Sequence, residues 1–153
     1  GNDNSKSSNK SSESKNEDIP PPSTLDSLDL FKDRWEEKLS LRTKRLRAPY
    51  LGWQEILPAV FKKEELESLD LLGNKLTMIP DQITHLTNLT ELSVAHNRLG
   101  QFPVILEQLP NLKRLSLSYN NFKDANIPFV GFKKLEDITL IGGLDSFPKS
   151  FSQ

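Results

Sequence analysis

The side chains that most often carry catalysis are few in this chain, and their spacing does not bring them together. The 153 residues include two histidines, His85 and His96, and no cysteine. Neither histidine has a second potential ligand at a metal-binding spacing, and no nucleophilic side chain is placed beside either of them. We therefore expect both histidines at the surface. The paired carboxylates Glu64–Glu65 and Glu136–Asp137 have no partner acid or base, and Gly142–Gly143 does not form a phosphate-binding loop. We therefore expect no enzyme, and no metal, cofactor or small-molecule substrate.

One covalent modification does have a sequence signal. The chain begins GNDNSK, so that Gly1 is followed by Ser5 and Lys6. A glycine exposed by removal of the initiator methionine, with a serine at this offset, is the pattern for N-myristoylation. The alternative interpretation is a glycine left behind by cleavage of a tag. Because one myristoyl chain binds a membrane only marginally, a lipidated protein needs a second membrane signal.

A cluster of basic residues is the candidate for that second signal: Arg42, Lys44, Arg45 and Arg47. Each basic side chain close to an anionic leaflet contributes about 1 kcal/mol of attraction. The alternative is an ordinary solvated edge that is paired with nearby carboxylates, namely Asp33, Glu36 and Glu37. Four charges are the low end of a polybasic motif, which favours the solvated edge.

The second half of the chain is built on a 23-residue period. Four leucines at this spacing open blocks of the form L-x-x-L-x-L-x-x-N-x-L: Leu66, Leu89, Leu112 and Leu135. In the first block Leu69 and Leu71 alternate with polar residues, which predicts a short strand with one buried face. No single block can bury its apolar edge alone, so neighbouring coils must stack into a solenoid.

The rest of each block predicts how the chain leaves the strand. Asn74, Asn97 and Asn120 fall at the exit, where an amide can satisfy backbone groups in its own coil and in the next. An apolar-proline pair such as Ile79-Pro80 then ends the strand, and apolar residues every three positions predict an irregular helix on the opposite side. The fourth block lacks its asparagine and is one residue short.

The first part of the chain predicts a tail and a cap. Residues 1–22 form a Ser/Asn-rich segment that ends in three prolines, which is typical of disorder followed by a polyproline II linker. Leu28, Phe31, Trp35 and Leu39 then predict one face of a capping helix over about residues 25 to 38. Because the interval from Leu39 to Leu69 is longer than the 23-residue period, and Lys44 replaces asparagine, we expect only a degenerate capping coil up to residue 65. The predicted domains are 1–22, 23–65 and the repeats 66–153, divided as 66–88, 89–111, 112–134 and 135–153.

Composition narrows the class of partner and the compartment. The net charge is −1, so nothing suggests a nucleic-acid surface. The N-terminus has no apolar secretory core, and no apolar run approaches the length of a membrane span. Extracellular solenoids of this kind are usually closed by disulfides, so the absence of cysteine favours the cytoplasm, with membrane association through Gly1.

The outward positions of the predicted strands form a candidate protein-binding surface. It mixes both signs of charge with small side chains, and arginine and tyrosine are enriched at binding hot spots. We expect Arg114 and Tyr119 to be its anchor. The surface comprises Ser68, Asp70, Leu72, Glu91, Ser93, His96, Arg114, Ser116, Ser118, Tyr119, Asp137 and Thr139.

Over residues 66–153 the motif closely resembles the Ras-group type of intracellular leucine-rich repeat, which includes scaffolds of small-GTPase signalling. This resemblance implies an α/β fold: a short right-handed solenoid with a parallel concave sheet, here preceded by a helical cap and a disordered tail. The short array and the incomplete fourth coil depart from the family and argue against wrap-around binding. Small phosphatase-regulatory and ciliary leucine-rich repeat proteins are the nearest competing families.

The predicted function is a non-catalytic adaptor or scaffold in signalling that binds another protein through the concave face, with a membrane tether at Gly1. One alternative is a structural subunit of a cytoskeletal or ciliary assembly. Another is a regulatory subunit of a phosphatase or other enzyme, which would use the same surface.

Overall fold

The computed structural model describes residues 26–30, 35–123 and 129–142. The tail, the three prolines and the lipidation signal of Gly1, Ser5 and Lys6 lie outside these residues. So do Asp33 and the end of the fourth repeat from residue 143 onward. The predictions of disorder, lipidation and a terminal half-coil therefore stay predictions.

The described residues build one parallel sheet of six three-residue strands, each paired with its neighbours along the chain. The strands are β1 Ser27–Asp29, β2 Arg45–Arg47, β3 Ser68–Asp70, β4 Glu91–Ser93, β5 Arg114–Ser116 and β6 Asp137–Thr139. One turn of α-helix, α1 Trp35–Lys38, lies between β1 and β2 along the chain. From β2 onward the register joins residues 23 apart, for example Leu69 with Leu92 and Leu92 with Leu115. This sheet confirms the predicted leucine-rich repeat solenoid.

The apolar side of the sheet packs against short helical segments on the opposite side of each coil. These segments are the α-helix α2 Pro58–Phe61 and three 3₁₀ helices, Asp81–His85, Val104–Gln108 and Phe129–Gly131. Leu69, Leu92 and Leu115 at the strand centres are buried, as are Ile83 and Leu106 in the helical segments. The prolines of the first two apolar-proline pairs stand where expected, immediately before a 3₁₀ helix. The core is therefore a continuous stack of aliphatic layers.

The asparagine of each repeat ties its own coil to the coil before it. The Asn97 side-chain oxygen accepts the N–H of Leu76 at 3.0 Å, and its amide group donates to the carbonyls of Leu71 and Val94, each at 3.0 Å. Asn74, one coil earlier, and Asn120, one coil later, make the same kind of hydrogen bonds to the coils that precede them. The prediction that the amide serves two coils is confirmed, but its neighbour is the preceding coil rather than the next.

The predicted helix over residues 25 to 38 is wrong. Ser27–Asp29 is strand β1, which pairs in parallel with β2, and among the described residues of this segment the helix α1 comprises Trp35–Lys38. The N–H of Leu30 donates to the carbonyl of Arg47 at 2.6 Å, so this segment satisfies its backbone by extending the sheet. Apolar residues at helical spacing did not decide the conformation, because the exposed edge of β2 offered a partner.

The coil before the first clear repeat is more regular than predicted. Leu46, at the centre of β2, pairs with Leu69 and stands one full period before it, whereas Leu39 lies outside the strand. The prediction of a degenerate coil with Leu39 in its strand was wrong, because this coil has other residue types at several positions that the repeat motif specifies. Thr43, Leu51 and Lys63 occupy the positions taken by Leu66, Asn74 and Leu86 in the next coil. The 23-residue period therefore begins one coil before Leu66.

Lys63 is the most unusual of these replacements, because it puts an ammonium group into an aliphatic layer. The residue is 4% exposed, and its Nζ donates to the carbonyl of Leu41. Burial lowers the pKa of Lys63 below the usual 10.5, and the nearby carboxylate of Glu65 opposes that change. We therefore expect the charged lysine to make this coil less stable than an aliphatic side chain would.

We expect Asn97→Ala to lower the free energy of unfolding by about 2 to 4 kcal/mol, because it leaves buried N–H and carbonyl groups of two coils without partners. Asn88→Ala is the matched control: Asn88 is exposed and donates one hydrogen bond, to Glu64, so its loss should be below about 1 kcal/mol. Urea denaturation measures both values. Equal losses for the two variants would contradict the structural role of Asn97.

We expect the stability difference between the wild type and Lys63→Met to depend on pH. As pH rises toward 10.5, the unfolded wild-type chain binds more protons at residue 63 than the folded chain does, so wild-type stability rises relative to the variant. Denaturation curves collected from neutral pH to that value measure the difference. Lys62→Met controls for loss of one positive charge at an exposed neighbour. Parallel curves for the wild type and Lys63→Met would rule out a buried ammonium.

Candidate functional site

The outward side chains of β2 to β6 form a polar surface, which we call the sheet face. Two residues of each strand contribute, so that residues 23 apart stand side by side at the strand spacing of about 4.8 Å. An open cavity of about 450 Å³ lies over the part of this face built by β3 to β6. Its outward-facing lining residues are Ser68, Asp70, Glu91, Ser93, Arg114, Ser116, Asp137 and Thr139.

Two arginines on the sheet face each bridge carboxylates from the strands on both sides. Arg114 lies 2.6 Å from the Glu91 carboxylate and 3.9 Å from that of Asp137. Arg47 lies 3.5 Å from Asp29 and 3.4 Å from Asp70. These pairs are exposed, so each stabilises the fold by at most about 1 kcal/mol. Their main effect is to match each positive charge with two negative ones across three strands.

The predicted basic cluster is divided by the fold. Arg45 and Arg47 belong to β2 and stand on the sheet face, where Arg47 is held by carboxylates. Arg42 instead lines a different cavity together with Glu36, Glu64 and Glu65. The carboxylates that pair with Arg47 are thus those of neighbouring strands rather than the three expected from the sequence. Membrane binding by this cluster stays a prediction.

From β2 to β6, the same position just beyond each strand has a left-handed backbone. These positions recur with the period of the repeat, with φ of 53° at Tyr50, 71° at Gly73, 52° at His96, 56° at Tyr119 and 67° at Gly142. The backbone there is fixed by hydrogen bonds between coils, such as the N–H of His96 to the carbonyl of Ser118 at 2.8 Å. Glycine adopts this conformation freely, but each tyrosine or histidine pays about 1 to 2 kcal/mol for it.

The three aromatic residues of this column are exposed, and together we call them the aromatic rim. The ring of Tyr50 lies over Gly73, where a Cβ atom would come within 2.2 Å of it. The ring of Tyr119 lies over Gly142 in the same way and stacks on His96, with ring centroids 4.4 Å apart and planes inclined by 20°. Tyr50 is 62% exposed and Tyr119 is 50% exposed. The strained positions thus present large rings to solvent rather than to the core.

The structure brings most of the predicted surface together. Eight of the twelve residues line the cavity on the sheet face, and His96 and Tyr119 adjoin it on the rim. Ser118 was wrongly assigned as outward: it is 6% exposed, and its hydroxyl accepts the N–H of Ile141 at 3.0 Å. Leu72 is half-buried. The alternation of inward and outward side chains ends at the third residue of each strand. This explains why neither Ser118 nor Leu72 is fully exposed.

Sequence reasoning missed Tyr50, Gly73 and Gly142 as members of the same column as His96 and Tyr119. The signal was present, because consecutive members of the column are 23 apart in the numbering. It was overlooked because the column mixes aromatic residues with glycine, which no hydrophobic pattern groups together. What these residues share is a backbone dihedral angle, and that angle appears only in the structure.

The described residues hold no cluster of His, Asp or Glu side chains that could bind a metal ion. His85 and His96 are both exposed, on opposite sides of their coils, as predicted. In the same part of the chain, no helix has the length and apolar character needed to cross a bilayer.

Comparison with known proteins agrees with the geometry. A family model described as Leucine Rich Repeat matches residues 65–86, 88–109 and 111–135. A leucine-rich repeat protein of Leptospira interrogans superposes with a TM-score of 0.55 and 24% identity, over 69% of this chain and 33% of that one. The leucine-rich repeat ectodomain of a receptor kinase from Arabidopsis thaliana gives 0.50 and 25%, over 70% of this chain and 57% of that one. No curated protein sequence matches significantly.

The region shared with this chain covers about a third of the Leptospira interrogans protein and just over half of the Arabidopsis thaliana ectodomain, so both relatives extend beyond it. The likeness therefore establishes the repeat and its solenoid. The Ras-group subtype stays a prediction.

We expect Tyr50→Gly to be more stable than Tyr50→Ala by about 1 kcal/mol, the reverse of the usual order, because only alanine keeps the left-handed strain. Met78 supplies the control, since it is also exposed but does not have a positive φ. At that position the alanine variant should be at least as stable as the glycine variant. Urea denaturation of the four variants measures both differences in stability. A Tyr50→Ala variant that is more stable than Tyr50→Gly would contradict the backbone strain.

Proposed function

The chain is a leucine-rich repeat protein, and we propose that it acts as a non-catalytic adaptor that binds another protein through the sheet face. Leucine-rich repeats commonly mediate protein–protein interaction, because stacked coils present one extended surface with many independently variable positions. The proposal concerns which surface of this chain does so and which residues anchor the partner.

The observation that carries this proposal is the position of Arg114. Its guanidinium lies between the carboxylates of Glu91 and Asp137, and Arg114 lines the sheet face cavity together with small side chains such as Ser93 and Ser116. A partner's side chains can therefore enter beside it, and its planar group can donate further hydrogen bonds. Tyr119 lies on the adjoining rim with half of its surface exposed. Arginine and tyrosine close to an accessible cavity are typical of a binding hot spot.

The paired charges also favour a specific partner over a general polyelectrolyte. A highly acidic or basic ligand would have to break the contacts of Arg47 and Arg114 with their own carboxylates. A protein surface with charges of both signs can instead insert its groups between them and keep every charge matched. The adaptor role in signalling, a cytoplasmic location and a tether at Gly1 stay predictions from the sequence.

We expect Arg114→Glu to weaken binding of the physiological partner by at least tenfold, which corresponds to about 1.4 kcal/mol. The new carboxylate would stand between those of Glu91 and Asp137, so it both removes the donor and adds repulsion. The partner is first captured from a lysate of the source cells with the immobilised wild-type chain, and its affinity is then measured by titration with purified proteins.

Lys62→Glu is the matched control, because it reverses an exposed charge at the end of α2 on the opposite side of the coil. It should bind like the wild type, and circular dichroism checks that both variants are folded. If Lys62→Glu lost the partner while Arg114→Glu and Tyr119→Ala kept it, the helical side would be the interface and the proposal would be wrong.

A further inference from the structure

Lys63 is the one buried lysine among the residues that the structure describes, and it does not line the sheet face cavity. It lines a second open cavity of about 680 Å³, to which Leu41 and Ala59 also contribute and which we call the Lys63 cavity. The other coils have an aliphatic or aromatic side chain at this position, so the fold itself does not require an amine there. A buried nucleophile beside an open cavity is a candidate site of chemistry.

The hydrogen bonds of Lys63 do not match an ammonium group. Within the described part of the chain its Nζ donates to one acceptor, the carbonyl of Leu41. An ammonium has three N–H groups, so two of them have no partner there. Burial disfavours the charged form and lowers the pKa of Lys63. More of Lys63 than of an ordinary lysine is therefore the unprotonated amine, which is the nucleophilic form.

The charged groups around the cavity do not reverse this effect. They come from α1, from the loop that follows it and from the end of α2: Glu36, Arg42, Lys62, Glu64 and Glu65. With Lys63 itself, acids and bases are equal in number. The carboxylate of Glu65 raises the pKa of Lys63, but burial lowers it by more.

We propose that Lys63 is an acylation site, at which the side-chain amine takes an acyl group from an acyl thioester and becomes an amide. The nitrogen lone pair of the unprotonated amine attacks the carbonyl carbon of the donor. The C–N bond forms and the C–S bond breaks. The sulfur leaves with the proton that the nitrogen releases, so the products are an amide and a thiol. This inference does not depend on the sheet face or on the proposed adaptor function.

The fit of the product favours acylation over the other reactions of an amine. Methylation keeps a positive charge in the aliphatic layer, and a carbamate formed with carbon dioxide would place a negative charge near Glu65. A neutral imine formed with an aldehyde has no N–H left to donate. An amide is uncharged and retains one N–H, which can keep the hydrogen bond to the carbonyl of Leu41. The Lys63 cavity has room for a short acyl group beside it.

The first test treats the folded full chain with a limiting amount of a small acetyl thioester, S-acetyl-N-acetylcysteamine, and measures the rate at each lysine by peptide mass spectrometry. Lowering a pKa by one raises the unprotonated fraction at neutral pH about tenfold, and the weaker nucleophilicity removes about half of that gain on a logarithmic scale. We therefore expect Lys63 to react at least about three times as fast as Lys75 at neutral pH. Lys75 is the reference because it is exposed and does not line the Lys63 cavity. The ratio should fall as the pH rises toward 10.5, the usual value for lysine.

Two controls relate this reactivity to the fold and to the cavity. In guanidinium chloride above the unfolding transition, the preference for Lys63 should disappear. Ala59→Trp places a large side chain at the cavity from an exposed position of α2. It should slow acetylation of Lys63 and leave that of Lys75 unchanged, and circular dichroism checks that the variant is folded.

The second test examines the product without the reaction. Nε-acetyl-lysine is incorporated at position 63 of the full chain during synthesis, and at position 75 as the matched control. Because the amide removes a buried charge and keeps the hydrogen bond to Leu41, we expect the urea midpoint to rise for position 63. The same group at exposed position 75 should leave the midpoint unchanged.

The inference is overturned if Lys63 reacts no faster than Lys75 in the folded chain, or if the preference persists in the unfolded chain. It is also overturned if Ala59→Trp leaves the rate at Lys63 unchanged, because the acyl donor would then not enter through the cavity. An acetyl-lysine at position 63 that does not raise the urea midpoint would equally overturn it, since the amide would not fit the site.

Discussion

The parallel register, with its 23-residue offset between coils from β2 onward, is the constraint on which the rest of the structure depends. It is maintained by the strand ladder and by the asparagine amides that join each coil to the preceding one. Once this register is set, every residue of one coil stands beside its counterparts in the coils on both sides. The aliphatic layers, the arginine–carboxylate triplets and the aromatic rim are all built from such columns. The rim occupies a single position of the repeat, whereas the triplet of Arg114 uses the first residue of each strand and the triplet of Arg47 uses the third.

How much of the fold could be predicted from the sequence depends on whether each column requires a single residue type. The aliphatic layers and the asparagines need one residue type, so their pattern is visible, and the strands from β3 to β6 were placed correctly. The coil around β2 was obscured because Thr43 and Lys63 replace leucine, although Leu46 keeps the period. Strand β1 was mistaken for a helix, since its apolar residues satisfy both periods and only the neighbouring strand decides between them.

For the candidate site, the strand positions could be predicted, whereas the positions beyond the strand were predicted only in part: His96 and Tyr119 were included, and Ser118 was assigned wrongly. Arg114 and Asp137 follow from simple alternation, whereas Ser118 lies where the chain has begun to turn and its hydroxyl is used inside the fold. The rim depends on a positive φ that its residue types do not reveal, because tyrosine seldom adopts it. Such locally unfavourable positions are where sequence-level consistency breaks down and where function is best sought.

The replacement of leucine by Lys63 has a consequence for motion as well as for stability. In a linear array each coil is stabilised only by its neighbours, so local opening begins at the coil with the weakest interface. The buried lysine of the β2 coil is one place where such opening is expected. Tyr50 belongs to this coil, whereas the coils of His96 and Tyr119 have Leu109 and Phe132 at the position of Lys63. Opening of the β2 coil would therefore move Tyr50 independently of the stacked pair of His96 and Tyr119.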